Sequence, residues 1–211
     1  MTPQEASEQT TALCALAPVI PVLVIEDAGT AAELAQALVA GGLPVLEVTL
    51  RTNAALDVIR AMANVEGGVV GAGTLLTPAD VAAAKDAGAL FGVSPGATPR
   101  LLDAAEEADL PILPGAASAS EAMALLERGY TVQKFFPAEA AGGAAFLGSL
   151  ASPLPQITFC PTGGINLAKA PDYLSLPNVR CVGGSWVAPK DKIAAGDWAG
   201  ITKLAAQAAA L

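Results

Sequence analysis

Thr131-Val132-Gln133-Lys134-Phe135-Phe136-Pro137-Ala138-Glu139 reads as a short strand that stops at a proline. β-Branched and aromatic residues suit a pleated, half-buried surface, and a proline has no N–H to continue a ladder. Strand side chains alternate, so Val132, Lys134 and Phe136 share one face while Gln133 and Phe135 take the other. Lys134 is the residue that needs a reason. Removing an ammonium from water costs several kcal/mol unless it is paired or neutral. A lysine so placed readily gives up its proton and becomes a nucleophilic amine. The competing reading is a lysine whose stem lies along a strand end and whose head reaches water.

Similar β-like runs recur at Val19–Ile25, Pro44–Leu50, Val69–Thr74, Leu90–Ser94, Pro111–Gly115, Ile157–Gly164 and Val179–Ser185, which with Thr131–Pro137 makes eight. Between them lie Ala/Leu-rich segments with helix-start signals at Thr30…Glu33, Thr77-Pro78…Asp80, Thr98-Pro99 and Ser118…Glu121. Several close on a glycine, such as Gly41, Gly88 and Gly129. Thr2-Pro3-Gln4-Glu5 is a capping-box pattern with proline at the first helical position, predicting a leading helix from Pro3 to about Ala17. Trp198, Ile201, Leu204, Ala205 and Ala208 fall at helical spacing and predict a closing helix. Eight alternating βα units point to an α/β chain whose parallel strands close into a (β/α)8 TIM barrel, with a doubly wound open sheet as the competitor. No linker or low-complexity stretch divides residues 1–211, so a single domain with a 1–17 leading helix is expected.

Apolar residues make up 53% of the chain and charged residues 15%, the composition of an interior-rich globular protein. A net charge of −9 argues against nucleic acid or an anionic membrane as partner, because either needs a basic face. A small anionic metabolite is compatible with it, since backbone N–H groups and one or two cations can hold one. Cys14, Cys160 and Cys181 are widely spaced and lack a CxxC pattern, and they read as reduced core residues of a cytoplasmic chain. Neither a secretory leader nor a membrane span is expected from the apolar pattern. The sequence contains no histidine, which removes Ser-His-Asp catalysis and the usual zinc sites. Lysine, carboxylates, tyrosine and cysteine remain as chemical actors, and no metal or cofactor is expected.

Three further sets of residues stand at strand ends, where barrel enzymes carry their sites. In Val45-Leu46-Glu47-Val48-Thr49-Leu50-Arg51 the alternation directs Leu46, Val48 and Leu50 toward helices and Glu47, Thr49 and Arg51 inward or over the strand end. Either Glu47 and Arg51 pair with each other, or the carboxylate moves protons while the guanidinium grips a substrate carboxylate. Gly71-Ala72-Gly73-Thr74 and Ser94-Pro95-Gly96 admit a close backbone approach to a ligand or a plain turn. Pro161-Thr162-Gly163-Gly164 and Val182-Gly183-Gly184-Ser185-Trp186 close the seventh and eighth runs. Phosphate cradles of barrels are often built from those two loops, with N–H groups directed at the anion.

Glu47-Val48-Thr49-Leu50-Arg51, Gly71-Ala72-Gly73-Thr74, Ser94-Pro95-Gly96, Lys134-Phe135-Phe136-Pro137-Ala138-Glu139, Pro161-Thr162-Gly163-Gly164 and Gly183-Gly184-Ser185-Trp186 together resemble the bacterial 2-keto-3-deoxy-6-phosphogluconate (KDPG) aldolases. The likeness runs in order from about Pro18 to the C-terminus. It implies a (β/α)8 barrel, usually a homotrimer, that works without metal in the Entner–Doudoroff pathway on a phosphorylated keto acid. It also implies roles: Lys134 as the Schiff-base lysine and Glu47 as the general acid/base. Arg51 and Thr74 would hold the pyruvate-derived carboxylate, Gly163, Gly164, Gly184 and Ser185 the phosphate, and Pro95, Phe136 and Thr162 the pocket wall. Gly115-Ala116-Ala117 departs from the pattern by lacking a hydroxyl residue, which leaves the fifth loop's contacts open. A branch acting on the galactonate epimer commonly has an arginine after the first strand; Val24-Ile25-Glu26 has none, which favours the gluconate branch. Activity on 4-hydroxy-2-oxoglutarate stays open. So do a non-catalytic phosphosugar-binding barrel and a phosphate-binding synthase or epimerase that forms no imine.

Overall fold

Each β-like run contains a strand, and each strand is shorter than its apolar stretch. The computed structural model describes residues 1–211. Its strands are β1 (Val19–Leu23), β2 (Val45–Thr49), β3 (Val69–Gly73), β4 (Gly92–Val93), β5 (Ile112–Leu113), β6 (Gly115–Ala116), β7 (Val132–Phe135), β8 (Thr158–Pro161) and β9 (Val182–Gly184). The fifth run, expected as one strand, is divided at Pro114. That residue has no N–H for a ladder, although its carbonyl accepts from Lys134 N at 2.9 Å.

All ladders are parallel, in one sheet of order β5-β4-β3-β2-β1-β9 and a second of order β6-β7-β8. The fifth run passes the chain from one sheet to the other, and isolated parallel bridges Phe159↔Val179 and Thr162↔Gly183 link the two sheets at their far edges. The result is an α/β fold with a curled parallel sheet. Strands neighbour in chain order, and β1 lies between β2 and β9; a doubly wound sheet would need a point where the order reverses.

Parallel strands cannot be joined by a tight turn, so helices carry the crossovers. The crossover helices are α2 (Ala31–Ala40), α3 (Ala55–Met62), α4 (Pro78–Asp86), α5 (Pro99–Glu107), α6 (Ala119–Arg128), α7 (Gly143–Ser149) and α8 (Ala170–Leu174); α1 (Pro3–Cys14) precedes β1, and α9 (Lys190–Ala195) and α10 (Trp198–Ala209) follow β9. Thr2 with Glu5 and Thr77 with Asp80 form complete capping boxes, and Thr98 and Ser118 cap α5 and α6. The leading helix ends at Cys14 rather than near Ala17. Ala17 precedes Pro18, and the residue before a proline is disfavoured in helical geometry. Thr30 precedes α2 as expected but makes no cap; its hydroxyl donates to Asp27 O, and Asp27 caps a short 3-10 turn instead.

Two apolar regions hold the fold together. Forty-eight buried residues pack between the sheet's outer face and the helices, running from Ala6 in α1 to Ala208 in α10. At about 1.5–3 kcal/mol for each fully buried aliphatic or aromatic side chain, this is the main source of stability. Inside the curl, nine buried residues form a second cluster: Ile20, Val45, Phe91, Val93, Leu113 and Val132, with Cys14, Cys160 and Cys181. All three cysteines are free thiols. No helix is long and apolar enough to cross a membrane.

Candidate active site

Immediately above the inner apolar cluster stands one pair of charges. Lys134 on β7 and Glu47 on β2 face each other across the inside of the sheet. Lys134 Nζ donates to Glu47 Oε1 at 3.1 Å and lies 3.4 Å from Oε2, with only 5% and 4% of the two side chains exposed. Alternation explains both orientations. Gln133, one residue away, turns outward and donates to Ala122 O and Tyr130 O beside α6, while Leu46 and Val48 pack into the outer core. Lys134 therefore does not reach out to water.

Small neighbours make room for the pair. In register beside Lys134 are Gly115 and Cys160. Glu47 lies against β3, where a Cβ on Gly73 would come within 2.2 Å of Glu47 Oε1. A Cβ on Gly71 would come within 2.4 Å of the Phe91 ring. The two glycines of the third run thus admit side chains of this chain rather than merely turn it. Cys160, beside the lysine, stays a thiol: its hydrogen bond to Cys14, together with burial, pushes it up to about 12.

Glu47 pairs with Lys134, not with Arg51. The strand ends at Thr49, and exposed Arg51 lies beyond it, where its Nε donates to Thr74 Oγ1 at 3.1 Å. Thr74 has φ +62°, which is unusual for a β-branched residue. That backbone carries its hydroxyl to the guanidinium at the end of β3.

Arg51, Phe136, Thr162, Gly163, Gly164, Gly184 and Ser185 all line one cavity of about 150 Å³, which Val22, Val24 and Ile165 help to wall. Phe136 connects it to the charged pair, since Lys134 Nζ lies 5.5 Å from the centre of its ring. Gly163 and Gly164 have φ of +108° and +79°, a backbone that side-chain-bearing residues rarely adopt. Thr162 is 6% exposed, and its hydroxyl has no partner within the protein. A Cβ on Gly183 would meet that hydroxyl at 2.2 Å, and one on Gly184 would meet the Trp186 ring at 1.7 Å. The eighth-strand glycines therefore make room for these side chains. Pro95 does not line the cavity; its backbone lies against Gly115, the register neighbour of Lys134. In the fifth loop, Ala117 N is taken up by Glu121 Oε2 at 2.7 Å.

The arrangement is a buried amine with a carboxylate at hydrogen-bond distance, below a small cavity rimmed by a guanidinium and a glycine-rich loop. The family model described as KDPG and KHG aldolase matches residues 10–204. The chain belongs to this aldolase family. Among family members, it is 54% identical to the 2-dehydro-3-deoxy-phosphogluconate aldolase of Pseudoalteromonas atlantica, over 92% of this chain and 90% of that one. The KDPG aldolase of Zymomonas mobilis, solved with 3-phosphoglycerate, superposes with a TM-score of 0.93 at 50% identity, covering 97% of this chain and 96% of that chain. The KDPG aldolase of Legionella pneumophila, in which pyruvate was captured as a covalent carbinolamine, gives a TM-score of 0.91 at 46% identity, covering 94% and 97%.

Sequence reasoning missed Val22, Val24 and Ile165 as cavity residues, because apolar residues near a strand end look the same wherever they point. It also left Glu139 without a part, although that residue closes the Lys134–Glu139 run.

Proposed function

We propose that this chain is a class I aldolase that cleaves 2-dehydro-3-deoxy-6-phosphogluconate to pyruvate and glyceraldehyde 3-phosphate through a Schiff base on Lys134. The observation that carries the reading is the buried Lys134–Glu47 pair at 3.1 Å, in a family with a member that holds pyruvate as a carbinolamine. The Lys134 amine, with its proton passed to Glu47, attacks the C2 ketone. Glu47 gives that proton to the carbinolamine hydroxyl, which leaves as water, and the iminium so formed withdraws electrons from the C3–C4 bond. Glu47, directly or through a water, takes the C4 hydroxyl proton as that bond breaks and the aldehyde leaves. Glu47 returns a proton to C3 of the enamine, and hydrolysis of the resulting imine frees pyruvate and the amine. Arg51, oriented by Thr74, holds the substrate carboxylate through paired donors. Gly163, Gly164, Gly184 and Ser185 receive the phosphate, with Phe136 and Thr162 as the wall.

A non-catalytic phosphosugar barrel would use Lys134 to neutralise ligand charge. Glu47 already neutralises it, which favours the aldolase. The sequential strand order, and the bridges between the two sheets, support a closed (β/α)8 barrel. The continuous outer core from Ala6 to Ala208 supports one domain over 1–211. Buried free thiols fit a cytoplasmic protein, and the family likeness is the support for a homotrimer, which light scattering tests directly. Incubation with each C4 epimer, with pyruvate measured by a coupled reductase, tests the activity. The gluconate epimer is expected to yield pyruvate faster than the galactonate epimer; no pyruvate from either would overturn the reading.

A further inference from the structure

The Lys134–Glu139 run ends on a carboxylate that the aldol chemistry leaves unused. Glu139 lies beneath the loop that follows β8. Its N–H donates to Gly163 O at 3.1 Å, and the preceding Ala138 N donates to Thr162 O at 2.8 Å. Its side-chain stem lies directly against the next residue of that loop: a Cβ on Gly164 would come within 2.7 Å of Glu139 Cγ and 2.9 Å of its Cβ. The stem is in turn fixed at its far end. Oε1 accepts from the hydroxyl of Tyr173 on α8, and Oε2 accepts from the Lys169 ammonium. Tyr173 is buried, at 1% exposure, so it is a fixed anchor. Lys169, next to the carboxylate, holds it below the usual range, with the Tyr173 hydrogen bond second.

Neither Glu139 nor its two anchors lines the cavity, whereas Gly163 and Gly164 do. Their left-handed backbone is what the loop needs to turn toward the cavity, and a chain with so little steric restriction of its own has to be held from outside. We propose that Glu139 is a positioning residue for the anion end of the site. It sets the height of the Gly163-Gly164 backbone with its stem and is itself locked by Tyr173 and Lys169, so that the loop is ready to receive a phosphate. Two consequences separate this from a general structural role. Loss of the stem weakens phosphorylated substrates while leaving the amine's reaction with pyruvate intact. The amide at this position, which keeps the stem and can still accept from Tyr173, restores binding.

The inference rests on the aldolase reading, and the experiment tells the two apart. Glu139→Ala, Glu139→Gln and Tyr173→Phe are compared with the wild type in three measurements: KM for the phosphorylated keto acid, kcat/KM for its non-phosphorylated analogue, and the rate of borohydride trapping of pyruvate. Glu139→Ala is expected to raise KM for the phosphorylated substrate by about 10- to 100-fold, the scale of a misplaced binding group. The analogue and the trapping rate stay at wild-type values. Tyr173→Phe shows the same pattern more weakly, and Glu139→Gln comes close to wild type. Equal losses on phosphorylated and non-phosphorylated substrates, or an unchanged KM in both Glu139→Ala and Tyr173→Phe, would overturn the proposal. Should Glu139→Ala fail to fold, Tyr173→Phe, which keeps the stem and the ring, decides by the same criteria. Absence of pyruvate trapping in the wild type would strike the aldolase reading instead.

Discussion

Val132 and Lys134 stand two residues apart on β7, as Val45 and Glu47 do on β2, yet each pair straddles a boundary. The lower members join Ile20, Phe91, Val93, Leu113 and the three thiols in an apolar layer. The upper members form an ion pair almost completely shielded from solvent. At β8 and β9 the same two-residue step recurs, Cys160 being followed by Thr162 just past β8, and Cys181, just before β9, by Gly183 and then Ser185. A step of two residues along a strand moves a side chain one layer up the same face. On the proposed mechanism it also moves the residue from stability to chemistry. The lower layer gains from the removal of apolar surface from water. The upper layer pays a desolvation cost that its own attraction does not reliably repay, so its persistence calls for a functional explanation.

The contrast can be broken most severely at the lysine. Lys134→Met removes the nucleophile and is expected to lower cleavage by about five orders of magnitude or more. It also leaves Glu47 buried without a partner, costing about 3–5 kcal/mol in denaturant unfolding. Adding Glu47→Leu is expected to recover that stability and none of the activity. Had the pair been structural, the double variant would remain the less stable protein.

Glu47→Gln comes next. Without a carboxylate to move protons, turnover is expected to fall by about two to four orders of magnitude, with KM for the keto acid little changed. Near-normal turnover would mean another group moves the proton. At the rim, Gly164→Val forces a Cβ into the stem of Glu139 at a position with φ +79°. It is expected to raise KM for phosphorylated substrates by about 10- to 100-fold, with non-phosphorylated analogues unaffected. The smallest effect on catalysis belongs to the lower layer. Leu113→Ala is expected to cost about 2–5 kcal/mol in unfolding and to leave turnover per folded molecule unchanged.

Much of this division was legible in the sequence, and for a physical reason. A charge within a β-like run has to face somewhere, and alternation around Lys134 and Glu47 allows only two faces. Strand positions, capped helices and the closing helix, whose Ile201, Ala205 and Ala208 are buried, followed from local chemistry in the same way. Partners were less legible. Arg51 lies four residues from Glu47, whereas Lys134 lies 87 away, and only the curl of the sheet brings the distant residue closer. The break at Pro114 was written in the missing N–H, but an apolar run conceals it. The glycines were legible only in part: the space beside Gly73 and Gly184 is taken by Glu47 and by the Trp186 ring, although Gly184 also lines the cavity. Glu139 was invisible because its importance depends on Tyr173 and Gly164, which only the folded chain brings to it.

The central claim is that the shielded amine of Lys134 bonds covalently to a keto acid. Reduction with borohydride in the presence of pyruvate, followed by peptide mapping, addresses it directly. A stable three-carbon adduct on the peptide carrying Lys134 is expected, with concurrent loss of activity. An unmodified Lys134 peptide, or an adduct confined to other lysines, would contradict it.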